Sequence, residues 1–209
     1  VQPLHDEAFP QAVTGFEDSQ ELLEQAERGN LFIVPLDEDR QWFRYHHLFA
    51  DLLRRGVRSA YPDLLPELHR RAARWFQAYG DMDAAAHHFL EAGDHGRCAE
   101  LLETVLDEAL LRGEYMTLLR WFGRLSEAAL DAHPRLRVYY ALLLLVSARP
   151  ARDVERQIAS ADTSSSASTG EIEAFHAVAA AMQGDAEQCE RHAKQALAIL
   201  PQEALFFRS

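Results

Sequence analysis

Lysine and cysteine are nearly absent from this chain, and each scarcity removes a class of function. The one lysine, Lys194, stands outside any GxxxxGK(S/T) run, and no such run occurs in the 209 residues. The backbone cradle and lysine that hold a triphosphate are therefore missing, and the segment is not expected to hydrolyse ATP by itself. Only Cys98 and Cys189 occur, far apart and without a CxxC neighbour. That excludes a disulfide framework and a zinc knuckle, and predicts two buried thiols in a reducing compartment. Long apolar runs are also missing: VYYALLLLV, Val138 to Val146, is less than half of the roughly 20 residues that cross a bilayer. With no signal peptide at the start, a soluble, cytoplasmic protein with no membrane partner is expected. The one serine cluster has no GxSxG elbow, and no carboxylate pair stands out by motif as acid and base. No catalysis is assigned, and an enzyme is not expected.

Basic charge is scarce too. Lysine and arginine total 21 against 33 acidic residues, a net −12, which argues against broad attraction to nucleic acid phosphates. What basic charge there is gathers in one region. Arg40, Arg44, Arg54, Arg55, Arg58, Arg70, Arg71 and Arg74 face only Asp51, Asp63 and Glu67 in the same stretch. Two readings stay open: a docking surface for an acidic macromolecule, a phosphate or a neighbouring acidic domain, or pairing with the chain's own carboxylates. The 48% hydrophobic fraction suffices for a packed core. The missing initial methionine and the apolar ending of Leu205, Phe206 and Phe207 suggest a piece of a longer protein, since such a cluster normally has a partner.

Two regimes of patterning follow each other. In DSQELLEQAER, Asp18 or Ser19 can cap a short helix with Leu22, Leu23 and Ala26 on one face, and Gly29 is a plausible left-handed stop. NLFIVPL reads as a strand, DEDR as a tight turn and QWFRYH as the returning strand, with Trp42 and Arg44 on one face and Phe43 and Tyr45 on the other. A second helix runs from His47 towards Ala60, with Leu48, Leu52 and Leu53 at helical spacing, and stops before Pro62. Helix, hairpin and helix make the tail of a winged-helix unit.

Beyond Pro66 the pattern is helical and periodic. Five, nine and twelve residues after Gly80 stand Ala85, Phe89 and Ala92. The same offsets from Gly113 give Leu118, Phe122 and Leu125, and from Gly184 give Cys189, Ala193 and Ala196. A weaker frame at Arg149 gives Val154, Ile158 and Ala161. The spacing is close to the ~34-residue period of tetratricopeptide repeats, with a small residue at each reversal. ADTSSSASTGE, Ala161 to Glu171, is expected to be a surface loop. The fold class expected is mainly α: a partial winged-helix unit with a β-hairpin over 1–61, incomplete at its N-terminus, then a tetratricopeptide-like helical-hairpin superhelix over 62–209, truncated at its C-terminus.

With these elements placed, NLFIVPLDEDRQWFRYHHLFADLLRR, LHRRAARWFQAYGDMDAAAHHFLEAGD, RGEYMTLLRWFGRLS and HPRLRVYYALLL resemble the MalT-like regulators. These are ATP-dependent transcriptional activators of the LuxR family, within the signal-transduction ATPases with numerous domains. The resemblance runs from about Gln11 to Ala148; beyond Pro150 only the repeat pattern continues. In that family an ATPase domain precedes a winged helix, a helical superhelix senses the inducer, and a terminal helix-turn-helix binds DNA. The resemblance therefore implies a middle segment with no cofactor of its own, from a parent that uses ATP and ADP. Its partners would be a neighbouring nucleotide-binding domain and an inducer or protein on the repeats, with DNA reached only through another domain.

The same resemblance bears on the cluster WFRYHHLFADLLRR, Trp42 to Arg55. Related switch ATPases, such as the nucleotide-binding resistance proteins, carry Met-His-Asp-Leu at this place, and that histidine contacts the β-phosphate of ADP. Tyr45-His46-His47-Leu48 matches at histidine and leucine and departs at the flanking positions. His46, with Arg44 beside it, is the candidate nucleotide-switch position; a histidine that merely caps or packs is the alternative. Trp42, Phe43 and Tyr45 are read as wing packing rather than a ligand cage. His87 and His88 point about 100° apart on a helix and are given no metal role. Two other functions stay open. A stand-alone repeat adaptor is one. Direct DNA binding through Arg40, Arg44, Arg54, Arg55 and Arg58 is the other, although SQELLEQAERG is too acidic for a recognition helix.

Overall fold

A computed structural model describes residues 8–35, 38, 43–162 and 169–200. Arg40, Trp42 and the terminal Leu205, Phe206 and Phe207 lie outside the described residues. The chain divides into two compact units, 1–94 and 95–209. The first holds α1 (Ala8–Thr14), α2 (Ser19–Arg28), β1 (Ile33–Pro35), β2 (Phe43–Tyr45), α3 (His47–Ala60), α4 (Leu64–Ala78) and α5 (Met82–Glu91). The second holds α6 (His95–Leu111), α7 (Tyr115–Phe122), α8 (Glu127–Ala132), α9 (Pro134–Val146), α10 (Ala151–Asp162), α11 (Thr169–Gln183) and α12 (Ala186–Ile199). The fold is mainly α with one antiparallel two-stranded hairpin.

In the first unit α2 begins at Ser19, as its amphipathic pattern predicts, but Asp18 makes no side-chain cap bond. Ser19 is held instead by Thr14 Oγ1 at 2.8 Å and the Phe16 carbonyl at 2.6 Å. Gly29 does not supply the left-handed stop. Its φ is −79°, and Asn30 takes φ +53° one residue later, a conformation its short polar side chain tolerates. Among the described residues the hairpin pairs Ile33 with Tyr45, Val34 with Arg44 and Pro35 with Phe43. Helix α4 starts ahead of Pro66, which falls in its first turn, where a missing N–H costs nothing. Phe9 of α1 packs on Trp75 and Phe76 of α4, with ring centroids 4.7 and 5.1 Å apart. The first helical pair, α4 with α5, therefore belongs to the same compact unit as the hairpin.

The reversals between paired helices share one construction. After α4 the amide of Gly80 donates to Gln77 and that of Asp81 to Phe76, and Gly184 and Asp185 repeat the pattern after α11. This double bond satisfies the last carbonyls and requires a left-handed residue. Asp81 and Asp185 then cap the following helices, accepting from Ala84 and Gln188 at 3.0 Å. Between α9 and α10 the same bonds come from Ala148 and Arg149, and Ala148 carries φ +51°. The fourth reversal therefore sits at Ala148, not at Arg149. Helix α10 starts three residues after it, where α5 and α12 start two after Gly80 and Gly184. One inserted residue keeps Val154 and Ala161 on the buried face.

Helix α9 lies at the centre of the second unit. Leu136, Val138, Tyr139, Ala141, Leu142, Leu143 and Leu144 are all buried, so the longest apolar run of the chain is a core helix, apolar around most of its circumference. Arg135 and Arg137 tie α9 to its neighbours. Arg135 donates to both oxygens of Asp107 on α6 at 2.9 Å and to Glu171 on α11 at 3.0 Å. Arg137, 2% exposed, donates to Gln157 on α10 and to Glu127 and Asp131 on α8. That anchoring explains why α11 starts at Thr169 and includes Glu171, and why α10 runs through Asp162. Both residues were expected in the serine-rich loop. Cys98 is buried as expected, whereas Cys189 is only half-buried. No helix among the described residues is long and apolar enough to cross a membrane.

Gly184 has φ +77° and open space where a Cβ would sit, so Gly184→Ala costs backbone energy alone, on the order of 1 kcal/mol. Ala148→Gly relieves the same conformation at the cost of extra unfolded-state entropy and is expected to be neutral or mildly stabilising. Urea unfolding of the two variants should shift midpoints downward for the first and not for the second; equal losses would refute the shared construction.

Candidate functional site

The candidate site forms where β2 enters α3. His46 is the N-cap residue of α3, and its amide donates to the Phe32 carbonyl at 2.7 Å while its own carbonyl accepts from Phe49 and Ala50. Its side chain makes no capping bond and is exposed. The capping alternative for His46 is therefore not what its side chain does. Phe32 stands at φ +55°, an uncommon conformation for an aromatic residue. Its ring lies 5.2 Å from Phe49, which also meets Tyr45 at 5.8 Å. Phe32, His46, Phe49 and Leu52 line an open groove of about 420 Å³. Leu52 and Leu53, expected on a packed face, are 56% and 37% exposed.

The first turn of α3 contains no acidic residue, so the partial positive charge of its N-terminus is not neutralised from within that turn. Farther along the helix, Asp51, Arg54, Arg55 and Arg58 border a second depression of about 350 Å³. Arg44 is exposed on the hairpin face shared with Val34. The arginine cluster is thus distributed over three elements, and part of it is engaged within the chain. Arg54 pairs with Asp51 at 2.9 Å, and Arg70 and Arg71 with Glu67 at 3.1 and 3.2 Å. Those two guanidiniums hold the Glu67 carboxyl below its ordinary range, with a weaker pull from Arg74. Arg71 also donates to the Val13 carbonyl at 3.4 Å. Solvent-screened pairs of this kind are weak, so they leave the arginines available to a stronger partner.

Sequence reasoning missed a second constellation. His87 and His88 are expected to point apart on the helix, yet their rings meet edge-on with centroids 5.3 Å apart, and His88 also meets His69 across the α4–α5 turn, Nδ1 to Nδ1 at 2.8 Å. The His88 ring stacks on Phe76 at 5.4 Å. The signal was in the spacing: His69 stands eleven residues before Gly80 and His88 eight after it, and positions so related face each other across the pair. Glu173 and His192 hold the same offsets about Gly184 and meet at 2.7 Å. Among the described residues no group of three histidine, cysteine or acidic side chains is placed to hold a metal ion.

Burial lowers the pKa of His69, and burial together with the positive potential of His69 and His87 brings His88 down to about 4. A depressed folded pKa favours the neutral ring, so its stabilisation is full above the ordinary 6.5 and is lost as pH falls towards about 4. Acid titration of unfolding midpoints should therefore show a decline across that window that His88→Gln flattens; an unchanged decline would refute the assignment.

The family model of the MalT winged helix domain matches residues 6–65. MalT of Cronobacter sakazakii, described as an HTH-type transcriptional regulator, is 32% identical over 201 residues, 94% of this chain and 22% of that protein. MalT of Klebsiella pneumoniae is 34% identical over 194 residues, 90% of this chain and 21% of that protein. The serine/threonine-protein kinase PknK of Mycobacterium tuberculosis is 34% identical over 142 residues, 67% of this chain and 13% of that protein. No solved structure matches the chain with significance. The chain spans about a fifth of the length of the MalT relatives and less of the kinase. With its hairpin and flanking helices in the matched segment, the chain belongs to the MalT-like regulators, as a stretch corresponding to part of their length.

Proposed function

We propose that this chain is the regulatory segment of an ATP-dependent transcriptional activator of the LuxR family. In this reading the winged helix gates a nucleotide-binding domain of the same polypeptide, and the helical pairs take up an inducer or a protein partner. The observation that carries it is His46: an exposed imidazole at the N-terminus of a 14-residue helix, lining an apolar groove. An imidazole there can donate to a phosphate oxygen of ADP, and the uncompensated helix terminus favours the same anion. The groove of Phe32, Phe49 and Leu52 offers the apolar contact that a neighbouring domain would cover, while Arg54, Arg55 and Arg58 border a separate depression on another face of α3.

Gating follows from differential affinity. If His46 reaches ADP only in a closed arrangement, ADP stabilises that arrangement, and a ligand on the helical pairs that prefers the open one shifts the balance. The occurrence of this stretch in a protein described as a kinase, as well as in transcriptional regulators, supports a sensing role that different output domains can use. It also weighs against DNA contact by this segment, as does the acidic α2. The ATP chemistry would belong to the nucleotide-binding domain and the DNA contact to a separate helix-turn-helix.

His46→Ala in the full-length protein removes one hydrogen bond to a charged group, so ADP retention should fall about tenfold and the inducer requirement for transcription should relax. Unchanged ADP retention together with an unchanged inducer response would reject the gating role.

A further inference from the structure

The half-buried histidine pair of the first unit has no part in the gating just described. We propose that His69 and His88 form a two-imidazole chelate for a divalent ion of the copper(II) or nickel(II) type, closed across the α4–α5 turn. Imidazole nitrogens suit copper(II) and nickel(II), and the spacing of this hydrogen-bonded pair accommodates them with little separation of the two rings. Two nitrogens at metal distances of about 2.0 to 2.1 Å stand about 2.9 Å apart in the cis positions of a square plane and about 3.3 Å apart in a tetrahedron. The Nδ1 atoms are 2.8 Å apart, close to the square-planar value. Metal entry requires the rings to turn so that both lone pairs converge on a point beside the line joining the nitrogens. Rotation about the Cβ–Cγ bonds supplies that turn, and for His88 it tilts the ring out of its stack on Phe76, whose plane is inclined by only 10°.

The protonation state suits the same task. Burial keeps both imidazoles neutral near pH 7, and a ligand nitrogen must be unprotonated. In the metal-free pair one Nδ1 donates to the other. On metal binding that proton moves to Nε2 of its own ring, so the step releases no proton. The charged and titratable groups that act on the pair are Glu91 and His87 from α5 and Arg58 from α3. Glu91 favours a cation, while Arg58 opposes it. The remaining coordination positions would be filled by water.

The corresponding positions of the α11–α12 pair provide an internal control. There Glu173 engages His192 Nδ1, and the nearby His176 ring, 5.3 Å from that of His192, is a separate approach to the same helix pair. In the α4–α5 pair a ring nitrogen of one imidazole faces a ring nitrogen of the other at 2.8 Å.

The test is titration of the 209-residue chain with copper(II) chloride, read by calorimetry and by electron paramagnetic resonance. The expected result is one saturable site whose spectrum shows hyperfine splitting from two nitrogens, with affinity reduced at least tenfold in His69→Gln and in His88→Gln and unchanged in His192→Gln. Nickel(II) should raise the melting temperature of the parent chain and not that of His69→Gln, because a ligand that binds only the folded state stabilises it. Absence of saturable binding, a single-nitrogen spectrum, or an equal loss in His192→Gln would overturn the proposal. A wild-type spectrum without two-nitrogen splitting overturns the proposal even if a variant fails to fold.

Discussion

Every tight reversal between the paired helices depends on one residue that enters the left-handed region. The last carbonyls of a helix need donors, and the shortest way to supply them while turning the chain back is a pair of amides beyond the helix end, which forces positive φ on the first of them. Gly80 and Gly184 meet that demand without strain. Ala148 meets it with a Cβ in the way, and the segment that follows is one residue longer before α10 begins. Because the reversal fixes where each second helix starts, it also fixes which residues face each other across the pair. His69 meets His88, and Glu173 meets His192, for this one reason.

In the second unit the packing of α9 adds a different constraint. A helix buried over most of its surface leaves no solvent for a guanidinium, yet it carries two in its first turn. Each finds acceptors on other helices: Asp107 and Glu171 for Arg135, and Gln157, Glu127 and Asp131 for Arg137, whose buried Nε alone has no hydrogen-bond partner in the protein. Removing an acceptor would leave a poorly solvated charge, so these networks set the register of α6, α8, α10 and α11 against α9 more strictly than the leucines can. Glu171 shows the cost of that arrangement. Its burial raises its pKa despite Arg135, and its second oxygen has no hydrogen-bond partner in the protein.

The aromatic and histidine cluster of the hairpin divides into packing and a surface. Tyr45 and Phe49 pack beside Phe32, while His46 stays exposed and Leu52 lies open along α3. An exposed apolar helix face with no covering element is unfavourable in water. It is stabilised when another body covers it. Family membership supplies a regulatory context for that surface, since the winged-helix match covers this hairpin and helix together.

The helices, the hairpin and the family were legible in the sequence because they rest on local signals: apolar spacing, Pro62 after a helix, glycines at 80 and 184, and the block around Tyr45 to Leu48. Local signals failed where a distant partner changed the balance. Gly29 was read as a left-handed stop, but Asn30 takes that conformation. Glu171 was read as loop because serines precede it, yet Arg135, 36 residues away, holds it in a helix. Frame position alone put the fourth reversal at Arg149, and the hydrogen bonds put it at Ala148. The sequence by itself determined the kinds of element and their order, since propensity and periodicity act over a few residues. Only the tertiary structure decided which imidazole meets which and which arginines are already paired. Those depend on contacts between side chains that are far apart along the chain and are brought together by the reversals.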